Sequence, residues 1–371
     1  LKNNVYHGKI LSMDKGKLKA ILVDVIPPKA NSSLEELSSL VDTLGGIVVK
    51  KVIQKRGRPS AKTFLGTGKA IEVAGTAREL QIDVVIFNNI LKPSQVLHLS
   101  AIFGAKVWDR VDLILKIFEK HAVTREAKLQ IELAKLHHEF PKLYGKGTSF
   151  SQQRGGGASS GGMTGVRGPG EKFLEQKKRH LRGQINILEA QLEKIKIQHQ
   201  NQRDVRRRKN LKTIALVGYT NSGKSTLLKA LTNKKDIYIA NKLFATLDTK
   251  IGDMYIQNFG KVLVADTIGF IKDLPPFLIQ SFLATLDEVR EADLILHVID
   301  ISDPEAITKI KVVEEILKDL GCENKPYINV LNKTDNLPKI PKRIPKNSAL
   351  VSAVTRKGFE KLVKRISEKL R

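Results

Sequence analysis

Thr213-Ile-Ala-Leu-Val217 runs without a break into Gly218-Tyr-Thr-Asn-Ser-Gly-Lys-Ser225, and then into Thr226-Leu-Leu-Lys-Ala-Leu231. The first five residues read as an apolar strand and the last six as the opening of a helix. Between them stands G-x-x-x-x-G-K-S, in the one context that gives the pattern physical meaning. Glycines let backbone N–H groups close around phosphate oxygens, and the helix N-terminus adds the positive end of its dipole. The phosphate-binding set is therefore Gly218, Tyr219, Thr220, Asn221, Ser222, Gly223, Lys224, Ser225 and Thr226. Lys224 is expected to bridge the β- and γ-phosphates, and the Ser225 hydroxyl to ligate Mg2+.

Further parts of a nucleotide site follow in order. Lys261-Val-Leu-Val-Ala265 is a second apolar strand and ends in Asp266-Thr-Ile-Gly269. A carboxylate at that strand end can hold Mg2+ through water, and the Gly269 N–H can meet a γ-phosphate. Between the two motifs lies Leu243-Phe-Ala-Thr-Leu-Asp-Thr249, where Thr246, with Thr249 in reserve, is expected to complete the metal shell. The expected metal ligands are Ser225, Thr246 and Asp266, and the residues expected to act on the reaction are Lys224, Thr246 and Gly269.

Base choice falls to Asn332-Lys-Thr-Asp335, after the strand Tyr327-Ile-Asn-Val-Leu331. The Asp335 carboxylate can accept hydrogen bonds from guanine N1–H and the 2-amino group, neither of which adenine offers. Asn332 can tie this loop to the phosphate loop, and the Lys333 stem can cover the base. Ser352 and Ala353 suit a loop whose backbone N–H groups close on the guanine carbonyl. The implied ligands are GTP, as substrate, and Mg2+. Lys357–Leu370 reads as an amphipathic closing helix.

Upstream, Lys19–Val25, Ile47–Val49, Ile82–Phe87 and Lys106–Trp108 read as strands. They alternate with helices that begin after Ser32-Ser33, at Lys69 and near Pro93. That order predicts a small parallel sheet flanked by helices over residues 1–108. Leu65-Gly-Thr-Gly-Lys69 lacks the second half of any nucleotide motif and reads as a turn before a helix. Residues 110–140 hold neither Gly nor Pro and carry apolar positions at Leu129, Leu133, Leu136 and Phe140, which predicts one long helix. A Gly/Ser stretch at about 145–170 follows as a loop. Leu174, Leu181, Ile185, Leu188, Leu192 and Ile195 then mark a second long helix. Two such seams joined by a glycine loop predict an antiparallel helical hairpin over 109–211. The expected fold class is thus α/β: a parallel-sheet N-terminal domain, a helical hairpin, and an α/β phosphate-loop domain over 212–371.

The 371 residues carry 64 Lys+Arg against 38 Asp+Glu, a net charge of +26. Residues 1–170 hold +12 of it, 171–212 hold +8 and 213–371 hold +6. A polyanionic partner, nucleic acid before membrane, fits this surplus. Aromatics at 5% argue against base stacking as the main mode of binding. No run approaches 18 apolar residues and no signal pattern opens the chain, so a cytoplasmic protein is expected. The one cysteine, Cys322, excludes an intrachain disulfide framework and a multi-cysteine zinc site.

The four nucleotide motifs make residues 212–371 resemble a translation-factor-type GTPase domain. Phe244-Ala-Thr-Leu-Asp248, Asp266-Thr-Ile-Gly-Phe-Ile271, Arg167-Gly-Pro-Gly-Glu171, Leu65-Gly-Thr-Gly-Lys69 and the helix Thr124–Leu136 make nearly the whole chain resemble the HflX family. That resemblance implies a GTPase associated with the large ribosomal subunit and ribosomal RNA, active in splitting or rescuing ribosomes under stress, with a monomer favoured. The alternatives are a regulatory GTPase whose basic hairpin binds free RNA or a protein, and a non-enzymatic RNA-binding scaffold. Many regulatory GTPases place a water-orienting Gln after Asp-x-x-Gly. Here Phe270 stands there, as the resemblance also implies, and predicts slow intrinsic hydrolysis stimulated by a partner.

Overall fold

A computed structural model describes residues 16–152, 169–232, 243–244, 250–257, 259–272, 275–338, 345 and 347–371. Of the loop expected at about 145–170, residues 153–168 lie outside the described residues, as do Thr246, Asp248 and Thr249, whereas 145–152 and 169–170 are helical and shorten the expected loop at both ends. By internal contacts the chain forms two compact units. One runs to Leu91 and resumes over Gln95–Leu113, and the other comprises Lys92–Ser94 and Ile114–Arg371.

The first unit alternates strands and helices: β1 (Lys19–Ile26), α1 (Leu34–Leu44), β2 (Ile47–Lys55), α2 (Thr67–Glu79), β3 (Val84–Phe87), α3 (Pro93–Phe103) and β4 (Lys106–Asp109). The sheet order is β2-β1-β3-β4 and every pairing is parallel. β1 is buried along almost its whole length, as a central parallel strand covered on both faces must be. Gly45 ends α1 in the left-handed conformation, where its N–H reaches the carbonyls of the last turn. Gly66 caps α2, and its N–H donates to Gln54 Oε1 at 2.9 Å. Leu65 and Gly66 form the turn, and Thr67–Lys69 already belong to α2, which starts two residues before the expected Lys69. Arg110 is buried and paired, donating to Glu36 Oε2 at 2.7 Å and to Asn88 Oδ1 at 2.8 Å.

The middle of the chain departs from the expectation of one helix over 110–140. Two are present, α4 (Arg110–His121) and α5 (Arg125–Gln152), the second carrying Pro141 inside it. The cause of the break is a cap: Thr124 Oγ1 accepts the Ala127 N–H at 3.1 Å, which starts α5 afresh. α6 (Pro169–Arg208) returns along α5. Glu126 meets His199 and His137 meets Glu189, so one helix rises in number as the other falls. The hairpin is antiparallel. Leu181 and Leu188 are its deeply buried seam residues on α6.

The rest of the second unit is a six-stranded sheet with helices. Its elements are β5 (Lys212–Val217), α7 (Lys224–Thr232), β6 (Lys250–Ile256), β7 (Gly260–Asp266), α8 (Pro276–Ser281), α9 (Leu283–Glu291), β8 (Leu294–Asp300), α10 (Ala306–Asp319), β9 (Tyr327–Asn332), β10 (Ser348–Leu350) and α11 (Phe359–Leu370). The order is β10-β9-β8-β5-β7-β6, parallel except for β6 against β7. β5, β7, β8 and β9 bury Ile214, Leu216, Val262, Val264, Leu294, Leu296, Val298, Ile328 and Val330 in one core, which α7 and α11 help to close. β7 and β6 lie on one side of β5 and β8, β9 and β10 on the other, and that switch opens a crevice at the strand C-termini where a ligand fits.

Aromatic and charged contacts join the helical segment to this sheet domain. Phe118 on α4 packs edge-on against Phe244 at 4.6 Å and Phe282 at 5.0 Å between ring centroids. At the foot of α6, Arg206 donates to Glu288 Oε2 on α9 at 3.0 Å, and Arg207 pairs with Glu291.

Candidate active site

The site is built at the C-terminal ends of β5, β7 and β9. β5 delivers the chain to Gly218, whose position a side chain cannot occupy because a Cβ would collide with the Val298 carbonyl oxygen. Gly223 is equally constrained: it adopts φ +92°, and a Cβ would strike Asn332 Nδ2. α7 then starts at Lys224, so the loop's N–H groups gather at a helix N-terminus.

Lys224 is buried, and its Nζ donates to the carbonyls of Gly218 at 3.1 Å and Tyr219 at 3.0 Å. Burial pushes its pKa down to about 8, with the Asp266 carboxylate opposing the shift. Ser225 Oγ donates to Asp266 Oδ2 at 2.6 Å. Two oxygens of the kind Mg2+ prefers thus meet at the expected metal position, and the donor set fits that ion. Thr226 is half-buried in the first turn of α7, and Asn221 is exposed with φ 62°.

The Asp266–Gly269 stretch is fastened to the phosphate loop. Thr267 Oγ1 donates to the Leu216 carbonyl at 2.7 Å. A Cβ on Gly269 would stand 2.9 Å from Thr220 Cα and 3.0 Å from Lys224 Nζ, so only glycine brings the backbone this close to the loop. Phe270 is 3% exposed. Its ring packs inside, while its backbone pairs with the loop.

The Asn332–Asp335 loop and the Val351–Ala353 loop are joined through the side chains of Asn332 and Thr334. Asn332 is 1% exposed; its Nδ2 donates to the Ser222 carbonyl at 2.9 Å and its Oδ1 accepts the Ala353 N–H at 3.0 Å. The sequence expectation that Asn332 ties its loop to the phosphate loop is met, and the second bond to Ala353 is an addition that tertiary structure supplies. Lys333 adopts φ 61° and pairs with Asp300 at 2.7 Å. Asp335 is exposed on a single 3-10 turn over Thr334–Asn336, and Thr334 Oγ1 donates to the Val351 carbonyl at 3.0 Å. The Ser352 N–H donates to the Lys357 carbonyl at 3.0 Å. A guanine carbonyl at this loop would therefore share the Ala353 N–H with Asn332. The side-chain bonds of Thr267 and Thr334 carry no motif signal, because each depends on a strand distant in sequence.

Similarity to known family models covers most of the chain in three blocks. Family models described as GTP-binding GTPase N-terminal, GTP-binding GTPase middle region and 50S ribosome-binding GTPase match residues 31–119, 121–206 and 213–333. GTPase HflX of Caldanaerobacter subterraneus is 41% identical over 96% of this chain and 81% of its own length. GTPase HflX of Escherichia coli is 37% identical over 95% of this chain and 83% of its own. Among solved structures, the complex of SsGBP with GDP is 26% identical, covers 95% of this chain and 98% of its own, and superposes with a TM-score of 0.51.

Proposed function

The chain belongs to the HflX family of GTPases, and from that premise we propose that it is a GTP-driven switch that binds the large ribosomal subunit through ribosomal RNA and acts in splitting or rescuing ribosomes under stress. The observation that carries the ribosomal reading is the excess of exposed basic side chains along α6. This helix has 40 residues, about 60 Å at 1.5 Å per residue, and leaves Lys177, Arg179, Arg182, Lys194, Lys196 and Arg208 exposed. A rod of that length with a surplus of positive charge, 11 Lys and Arg against 5 Asp and Glu, suits phosphate-rich surfaces. The description 50S ribosome-binding GTPase, attached to the family model over 213–333, points the same way.

Hydrolysis transfers the γ-phosphoryl group of GTP to an in-line water, and catalysis of such a transfer is positioning plus charge stabilisation. In this reading the phosphate-loop N–H groups, from Gly218 to Thr226, cradle the phosphates. Lys224 leaves the loop carbonyls it now caps and places its charge on the β- and γ-oxygens. Ser225, Asp266 and Thr246 would hold Mg2+, which would supply positive charge against the phosphates. The Gly269 N–H meets the γ-phosphate. Asp335 selects guanine, the Lys333 stem covers the base, and Ser352 and Ala353 line its carbonyl. The buried Phe270 ring cannot orient water, so the intrinsic rate is slow and the ribosomal partner completes the site.

Co-sedimentation with purified large subunits tests the proposal. Binding is expected to be stronger with a non-hydrolysable GTP analogue than with GDP, to weaken steeply with salt, and to raise the hydrolysis rate. Co-sedimentation indifferent to nucleotide and to deletion of 145–170 would sink the ribosomal reading and favour free RNA or a protein as partner.

A further inference from the structure

Tyr219 has so far been given only a backbone N–H to contribute. Its side chain does something that the phosphate-loop pattern does not specify. The residue is 7% exposed, and its hydroxyl oxygen accepts the Lys272 N–H at 2.8 Å. Lys309 Nζ lies 5.3 Å from the centre of its ring, and Asp303 holds that lysine. The adjoining backbone is paired in the same direction. The Phe270 N–H donates to the Gly218 carbonyl at 3.1 Å, and the Thr220 N–H donates to the Phe270 carbonyl at 2.7 Å. Residues 219 and 270 thus form a one-residue parallel bridge.

These bonds bracket Gly269. Upstream, the Thr267 hydroxyl anchors the chain to β5. Downstream, Phe270 and Lys272 are anchored to the phosphate loop, the second through the Tyr219 hydroxyl. Ile268 and Ile271 are buried beside them, so the segment has little room to shift sideways. A site whose position 270 is apolar relies on backbone groups in this segment, and their placement to a few tenths of an ångström sets the rate. We propose that Tyr219 is a positioning residue for GTP hydrolysis, its hydroxyl fixing the Gly269–Lys272 segment against the phosphate loop so that the Gly269 N–H faces the γ-phosphate. This inference rests on the reading of Gly269 given above. GDP reaches only the loop amides and needs no such pin.

Three full-length variants test it: Tyr219→Phe, Lys309→Met and Gly269→Ala. Tyr219→Phe keeps the ring and its packing and removes only the acceptor oxygen. Its expected effect is a fall in kcat of roughly three- to tenfold with KM and GDP affinity within about twofold of the parent, the size of one hydrogen bond felt in the transition state. Lys309→Met leaves the hydroxyl bond in place and is expected to lower kcat less than Tyr219→Phe. Gly269→Ala is expected to abolish hydrolysis. A Tyr219→Phe protein with unchanged kcat, beside an inactive Gly269→Ala, overturns the role of Tyr219 and leaves the site reading standing. A fall in GDP affinity parallel to the fall in kcat also overturns it, since the ring would then merely shape the loop. A fully active Gly269→Ala overturns both.

Discussion

Asn332→Asp is the sharpest single-atom perturbation the site offers. The change is isosteric and keeps an oxygen where Oδ1 accepts the Ala353 N–H at 3.0 Å. It replaces the Nδ2 donor with an oxygen facing the Ser222 carbonyl, 2.9 Å away. The position is 1% exposed, so water cannot repair the loss. A buried hydrogen bond that leaves its acceptor unpaired costs about 1–3 kcal/mol. Two oxygens facing each other there add repulsion, and a charged carboxylate adds desolvation. A loss of about 2–4 kcal/mol corresponds to roughly 30- to 1000-fold in affinity if it falls on nucleotide binding. Asn332→Ala removes both bonds and leaves the Ser222 carbonyl and the Ala353 N–H unpaired, about 2–6 kcal/mol by the same count. The assay is titration with a fluorescent GDP analogue, run beside urea unfolding to divide the cost between affinity and stability. If Asn332→Asp bound GDP within threefold of the parent with an unchanged unfolding midpoint, the reasoning that this amide clamps three loops together would be refuted.

Other expectations follow from the same geometry. Gly218→Ala should abolish GDP binding, because its Cβ has no room beside the Val298 carbonyl; measurable GDP affinity in that variant would contradict the packing described. Burial holds His297 down at about 4, against a hydrogen bond with Asn329 that raises it and the Lys224 charge that lowers it further. An unfolded His binds its proton near 6.5, so stability is full above that pH and falls, by about 3 kcal/mol, as pH drops from 6.5 toward 4. His297→Gln should flatten that part of a stability–pH curve, and an unchanged slope would count against it. Phosphates beside Lys224 should raise its pKa from about 8, so GDP binding near pH 8.5 should take up protons. Calorimetry in two buffers of different ionisation heat reads this directly, and heats equal after correction would rule it out. Arg110→Ala should destabilise the first unit by about 1–3 kcal/mol, since the buried arginine's bonds to the partly buried Glu36 and to Asn88 would be lost; thermal unfolding unchanged by the substitution would be the contrary result.

The regions most legible in the sequence are those whose information is local. The strand, glycine loop and helix over 213–231 declare themselves because each requirement falls within a few residues. A positive φ or a missing Cβ demands Gly, and a helix N-terminus demands the turn before it. The alternation of apolar runs and helices over 19–109 is legible for the same reason, and the parallel sheet follows from the order of elements. The single helix expected over 110–140 failed on a subtler local signal. Absence of Gly and Pro suggests continuity, whereas Thr124, with Ala127 three residues on, starts a new helix by capping it. Capping by Thr is a property of geometry as well as residue type, so a helix interior and a helix start look alike at that position.

Sequence by itself determined the fold class, and it marked the Gly218–Ser225 loop, the Asn332–Asp335 motif and the apolar Phe270 after Asp266–Gly269. It could not reach the side-chain bonds that hold these parts to each other. Asn332 spans to Ser222, 110 residues away, and Thr267 spans to Leu216, 51 residues away. The Tyr219 hydroxyl meets Lys272, 53 residues on, and Arg206 at the foot of α6 meets Glu288, 82 residues on. No spacing rule spans such separations. Each pair exists because parallel strands bring their C-terminal ends to one edge of a sheet, or because a long helix ends against a neighbour. A motif shows which groups are available to the nucleotide. The fold determines which other groups hold them at the distance where their chemistry works.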